Sequence, residues 1–174
     1  EANLRYGQML YNGNGVEINK KEAADFFQVG ADQGEKQAMY YYGKMLYEGD
    51  SITKDSKKGL SYIRKSADLE FSDAISFYGQ LIYKGKIADA DKCESVKYFQ
   101  KAAELEDPIS LFHYGTMLLE GEFVERNKEK GINFIKKSAD LGNAEALLKY
   151  GLMLYDGVEI PENKDQDLFI SKNW

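Results

Sequence analysis

The sequence has one cysteine, one histidine and two prolines in 174 residues. A single cysteine excludes an internal disulfide framework, and a single histidine excludes a metal site or catalytic dyad that needs two imidazoles. No apolar run reaches the roughly 18 residues that a membrane span requires. We therefore expect no metal site, no cofactor and no direct insertion into a membrane.

Basic residues are also fewer than acidic ones, with 23 Lys and Arg against 29 Asp and Glu and a net charge of -6. Binding to nucleic acid or to anionic lipid depends on clustered cations, and the sequence has no such cluster. We therefore expect no nucleic-acid partner. None of the nine asparagines begins an Asn-X-Ser/Thr sequon, which favours a cytoplasmic over a lumenal setting without deciding the compartment.

The sequence does contain an internal repeat, which is most visible in the dipeptide Tyr-Gly. Its five copies are 36 residues apart, beginning at Tyr6, Tyr42, Tyr78, Tyr114 and Tyr150. A glycine follows in the same register at Gly13, Gly49, Gly85, Gly121 and Gly157, and an Asx residue at Asn19, Asp55, Asp91, Asn127 and Asn163. Fixed spacing of this kind is typical of stacked repeats.

Each repeat is predicted to be a helix-turn-helix unit. In the first copy, helical spacing of Ala2, Tyr6, Met9 and Leu10 predicts a helix over residues 2–12, which Gly13 ends. The Asx residue then caps the second helix. We expect one all-α array, a right-handed α-α superhelix of about five repeats at 1–34, 35–70, 71–106, 107–142 and 143–174, the last atypical or truncated.

The glycine of each Tyr-Gly dipeptide lies inside a predicted helix, where glycine costs about 1 kcal/mol relative to alanine. A cost paid in every copy needs a structural reason. The second helices carry small residues at Ala23, Gly59, Ser95 and Gly131. We therefore expect the two helices of each hairpin to approach most closely where these two columns meet.

These columns resemble the Sel1-like repeat, which is similar to the tetratricopeptide repeat. The first copy carries the resemblance, with Ala2, Tyr6-Gly7, Met9-Leu10-Tyr11, Gly13-Asn14-Gly15-Val16, Asn19, Ala23-Ala24, Phe26-Phe27, Gly30-Ala31-Asp32 and Gly34. Glu70 and Glu106 depart from the pattern, because they replace the glycine seen at Gly34 and Gly142. The resemblance covers nearly the whole chain.

The resemblance implies a non-catalytic scaffold or adaptor that binds a protein or peptide segment. One alternative is an accessory interaction domain of a larger enzyme or signalling protein. Another is β-lactam binding or hydrolysis, which is proposed for cysteine-rich members of the family. Those members have a disulfide in each repeat, whereas this chain has one cysteine.

The resemblance also implies that the first helices line a concave groove, and helical geometry then selects the side chains opposite the predicted core face. Leu4, Ser76 and Leu148 belong to this face. The predicted partner-binding residues are Arg5, Gln8, Tyr40, Tyr41, Lys44, Phe77, Gln80, Phe112, His113, Thr116, Lys149 and Leu152. The cations among them favour a partner segment with apolar anchors and some acidic residues.

Two further features are interpreted as structural. Tyr11, Tyr47, Tyr83 and Tyr155 form a column with Leu119 as its exception, and we expect it to pack at the edge of the groove. Cys93 follows the Asp91 cap among acidic residues that oppose a thiolate, so we expect an exposed thiol without a role. The acidic run at Asp89, Asp91 and Glu94 is too short for a calcium loop.

Overall fold

The computed structural model describes residues 2–88 and 90–157, and this part of the chain is helical. The helices are Ala2–Asn12, Lys20–Asp32, Lys36–Glu48, Ser56–Asp68, Ser72–Tyr83, Ser95–Glu104, Pro108–Glu120, Lys128–Asp140 and Ala144–Tyr155, numbered α1 to α9. Odd-numbered helices are the first helices of the repeats, and even-numbered helices are the second. The predicted cap Asn163, the second helix of the fifth copy and Trp174 lie outside the described residues.

The chain divides into two compact units, Glu1–Leu105 and Glu106–Trp174. The first contains α1 to α6, and the second contains α7 to α9. Within each unit a first helix packs against the second helix of its own repeat, and that second helix packs against the next first helix. None of the described helices is both long enough and apolar enough to cross a membrane.

Asx caps begin the second helices, as the sequence predicts. The side-chain oxygens of Asn19, Asp55 and Asn127 accept hydrogen bonds from the backbone amides three residues later, at 2.9 to 3.1 Å. Asp91 is an exception, because it accepts from the Cys93 amide and begins a single 3-10 turn before α6. The prediction that the Asx residue caps the second helix directly is therefore wrong at this repeat.

The glycine columns bring the helices of a hairpin together, which confirms the expected close approach in the second and fourth repeats. A Cβ atom on Gly43 would lie 2.9 Å from the Gly59 carbonyl oxygen, and one on Gly59 would lie 2.6 Å from the Gly43 carbonyl oxygen. Gly115 and Gly131 have the same relation, at 2.9 and 2.7 Å. Only residues without a Cβ allow these backbones to come so close.

An aromatic pair lies beside the glycine contact in four hairpins. In these four, the tyrosine of the Tyr-Gly dipeptide meets an aromatic ring of the second helix at a centroid distance of 5.0 to 5.4 Å. The pairs are Tyr6 with Phe26, Tyr42 with Tyr62, Tyr78 with Tyr98, and Tyr114 with Phe134. These edge-to-face and tilted contacts fix how the two helices of each repeat are rotated against one another.

The predicted core face is only partly buried in the first repeat. Tyr6 is 40% exposed and Met9 is 36% exposed, whereas their second-repeat equivalents Tyr42 and Met45 are 7% and 2% exposed. In the second repeat Tyr42 and Met45 lie in one core cluster with residues of α1 and α2, whereas no described helix precedes α1 to cover the equivalent face. The expectation that all these positions are core residues is wrong for the first copy.

Two of the helix-ending turns contain a strained residue. Glu70 and Glu106 have φ angles of 60° and 61°, in the left-handed region where the equivalent Gly34 and Gly142 have 86° and 85°. Both carboxylates pair with a lysine from the next second helix, Lys101 at 3.0 Å and Lys137 at 2.8 Å. Each pair connects a helix-ending turn to the next second helix of the same unit.

Candidate partner-binding surface

The candidate surface of the first unit consists of accessible side chains on α1, α3 and α5. Arg5 is exposed, and Gln8, Tyr41, Lys44, Phe77 and Gln80 are half-buried. Their chemistry changes between repeats, whereas the Tyr-Gly and cap columns are constant. A surface of this kind can vary without disturbing the fold.

Tyr40 does not belong to this surface, which corrects the prediction that its side chain is accessible. It is 8% exposed, and its ring contacts those of Phe71 and Phe77 at centroid distances of 5.4 and 6.0 Å. Leu4 and Ser76, at the equivalent positions, are 8% and 2% exposed. In the first unit this column is buried, and for Tyr40 the contacts come from Phe71 and Phe77, so helical geometry alone misplaces it on the outer face.

Tyr41 has one ring face inside the protein. It stacks on Phe27 of the preceding repeat with a centroid distance of 5.1 Å and an interplanar angle of 20°. Phe27 is fully buried at 0% exposure, while Tyr41 is half-buried. The prediction of an exposed tyrosine is therefore too simple, because the residue both packs in the core and contributes to the surface.

Lys44 and Phe77 form a contact between α3 and α5. The Lys44 Nζ atom lies over the Phe77 ring, 5.4 Å from its centroid, and the ring of Tyr47 approaches the same phenylalanine at 6.3 Å. Both partners are half-buried. The first unit therefore presents a cation over an aromatic ring of the following repeat.

The second unit has a different arrangement at the equivalent positions. Lys149 on α9 corresponds to Phe77, and Thr116 and Glu120 on α7 correspond to Lys44 and Glu48. The Lys149 Nζ atom lies 2.7 Å from Glu120 Oε1 and 3.5 Å from Thr116 Oγ1. A carboxylate of its own unit therefore neutralises this predicted cation.

The other predicted residues of the second unit are mainly apolar. Phe112 and His113 are half-buried neighbours with ring centroids 5.6 Å apart. Leu148 is 67% exposed and Leu152 is 52% exposed on α9. The accessible surface here is apolar, and its lysine is paired.

A polar cluster between the first two repeats was not predicted from the sequence. Asp50 Oδ2 accepts a hydrogen bond from the Tyr11 hydroxyl and forms an ion pair with Lys20, both at 2.9 Å. The Lys20 hydrogen bond lowers the pKa of Asp50, while burial and the bond to Asp50 raise the pKa of Tyr11. Tyr11 of the first repeat therefore contacts the second repeat through its hydroxyl group.

Cys93 is an exposed free thiol, in agreement with the sequence. The hydrogen bond to Asp91 and partial desolvation raise the pKa of this thiol. A raised pKa reduces the thiolate fraction near neutral pH and so disfavours nucleophilic chemistry. Among residues 2–88 and 90–157, no group of three His, Cys, Asp or Glu side chains could hold a metal ion.

Helix pairs stacked in register, a core built from repeated columns and a variable first-helix surface define an all-α repeat superhelix. The Sel1 repeat model matches residues 1–35, 36–71, 72–107, 108–143 and 144–166. The chain therefore belongs to the Sel1 repeat family. Sel1 repeats generally act in protein–protein interaction, and their fold is typically a non-catalytic interaction scaffold.

Solved structures of Sel1 repeat proteins have the same fold. A Sel1 repeat protein from Oxalobacter formigenes is 27% identical with a TM-score of 0.81, over 92% of this chain and 66% of that one. The protective antigen c5321 of uropathogenic Escherichia coli is also 27% identical, with a TM-score of 0.78, over 91% of this chain and 34% of that one. This chain thus spans less than two thirds of either protein.

The cysteine-rich protein B of Helicobacter pylori has a more distant similarity. It is 20% identical with a TM-score of 0.57, over 79% of this chain and 99% of that one. This similarity concerns the fold alone. Among curated proteins, none matches the chain.

Proposed function

We propose that this protein is a non-catalytic scaffold that binds a segment of a partner protein on the surface formed by its first helices. Membership of the Sel1 family supports a protein partner. The observation that carries the proposal is the half-buried surface of α3 and α5, where Tyr41, Lys44 and Phe77 are accessible although they also make packing contacts.

Half-buried aromatic rings suit this role for two reasons. Their contacts inside the protein fix their orientation, so binding a partner costs little side-chain entropy. Their remaining exposed area is apolar and becomes buried when a partner segment covers it. Tyr41 and Phe77 have both properties, because each packs against a buried ring on one side and is accessible on the other.

A charge-reversed variant tests the proposal without removing a core side chain. Lys44→Glu combined with Gln80→Glu changes the accessible polar groups of α3 and α5 and leaves the aromatic residues in place. We expect this variant to have the helix content and urea midpoint of the parent chain. Affinity capture from extracts of the source organism, quantified by mass spectrometry, should then lose the specific partner.

A matched control is available on the second helix of the same unit. Lys57→Glu with Ser61→Glu makes the same change in formal charge at two exposed positions of α4. The partner should bind this control as it binds the parent. If both variants lose the same proteins, or if neither variant loses any, the first-helix surface is not the binding surface and the proposal is wrong.

A further inference from the structure

We infer that the first unit recognises an aspartate or glutamate side chain of the partner segment through Lys44, with an adjacent apolar side chain of that segment against Phe77. This inference rests on the proposed function and assigns one chemical preference to one place on the surface. It follows from a comparison of two equivalent positions in the same chain.

Equivalent positions of the two units make the same kind of contact between successive first helices, but the lysine lies on a different helix in each unit. A side chain of one first helix reaches a side chain of the next first helix, through Lys44 and Phe77 in one unit and through Thr116 and Lys149 in the other. In the second unit Glu120 satisfies the lysine at 2.7 Å. An external carboxylate would have to displace that contact.

Lys44 has no such internal carboxylate. Within residues 2–88 and 90–157, no Asp or Glu forms an ion pair with its Nζ atom. The contact described for this atom is the cation–π contact with the face of the Phe77 ring. An ammonium group has three N–H donors, and a ring occupies only one side of it. The remaining N–H groups can therefore donate hydrogen bonds to a carboxylate of a partner.

The ring below the cation strengthens this site for an anion that carries an apolar neighbour. The Lys44 ammonium lies over the Phe77 ring, which the Tyr47 ring contacts in turn, and a bound segment would exclude water from this apolar surface. A charge pair gains strength when water is excluded, provided that its hydrogen bonds are made. A lone acidic residue or a lone apolar residue would use only half of the site.

Glu48 carries a negative charge one helical turn beyond Lys44 on α3. It is exposed and forms no ion pair with Lys44 in the described part of the chain. Its carboxylate would repel an acidic segment. Removing this charge should therefore improve binding. Glu48→Gln is thus expected to raise the affinity for an acidic peptide, whereas Lys44→Gln is expected to lower it.

A phage-displayed library of random 12-residue peptides, selected on the intact chain, tests the inference. The displayed peptides have no free carboxyl terminus, so enrichment of acidic residues reports side chains. We expect selected peptides to combine Asp or Glu with an adjacent aliphatic or aromatic residue. For synthetic versions, Lys44→Gln should weaken binding about tenfold, as for hydrogen bonds to charged groups, and Glu48→Gln should tighten it.

Lys57→Gln is the matched control, because it removes the same charge from an exposed position of α4 outside the first-helix surface, and it should leave the affinity unchanged. The carboxylate assignment would be wrong if the selected peptides lack acidic residues and bind Lys44→Gln as tightly as the parent. If the same peptides bind the double variant Lys44→Glu with Gln80→Glu more weakly, the proposed function still stands. If selected peptides bind that double variant as tightly as the parent, both ideas are wrong.

Discussion

Replacing Gly59 by alanine tests whether the glycine columns determine how closely the helices pack. The new Cβ atom would lie 2.6 Å from the Gly43 carbonyl oxygen and 2.6 Å from the Tyr47 amide nitrogen, both in the backbone of α3. Neither atom can rotate away, so α3 and α4 must separate. Overpacking of this kind costs 1–3 kcal/mol or occasionally more, which we expect at about 3 kcal/mol against rigid backbone.

Alanine also has a higher helix propensity than glycine, and this returns about 1 kcal/mol. The expected net loss is therefore about 2 kcal/mol in the free energy of unfolding, or roughly 4–8 °C in Tm for a chain of this size. Urea denaturation followed by circular dichroism measures it. Ser61→Ala, at an exposed position of the same helix, is the control. A Gly59→Ala protein as stable as the parent would refute the close-packing explanation.

Two further predictions concern packing and charge. Met45→Ala should lower the free energy of unfolding by about 2–4 kcal/mol, and Met9→Ala by less than about 1 kcal/mol. The reason is that the two side chains are 2% and 36% exposed. Urea denaturation measures both losses, and equal losses would contradict the burial difference. Asp50→Asn should destabilise the chain above pH 4, since the pKa of Asp50 is lowered in the folded state. That stabilisation is present above the unfolded pKa, near 4, and is lost as pH falls through the folded pKa. Thermal unfolding of parent and variant at pH 7, 4 and 2 measures it, and a difference that grows on acidification would be the wrong sign.

Much of the fold can be predicted from the sequence because the interactions that define it are local and recur. The cap at Asn19 bonds to an amide three residues away, and Gly13 ends its helix with a φ of 76°. Such contacts need no knowledge of the neighbouring repeat. Repetition of the pattern in five copies then distinguishes it from chance.

The candidate surface is less predictable because it depends on contacts between repeats. Helical spacing alone puts Tyr40 on the accessible face, yet Phe71 and Phe77 of the following repeat bury its ring. The sequence also gives no sign that Lys149 is neutralised by a carboxylate 29 residues earlier. Both outcomes depend on which side chains meet across the stack.

The repeat, its helices, most of their caps and the family are therefore readable in the sequence, since each rests on short-range geometry repeated at a fixed interval. Packing between repeats, in contrast, sets which of the predicted surface side chains are accessible and which cations are already paired. It paired Lys149 with Glu120 and left Lys44 over the Phe77 ring. The physical reason is that the availability of a charge depends on distances between neighbouring repeats, and the order of residues along one helix does not specify those distances.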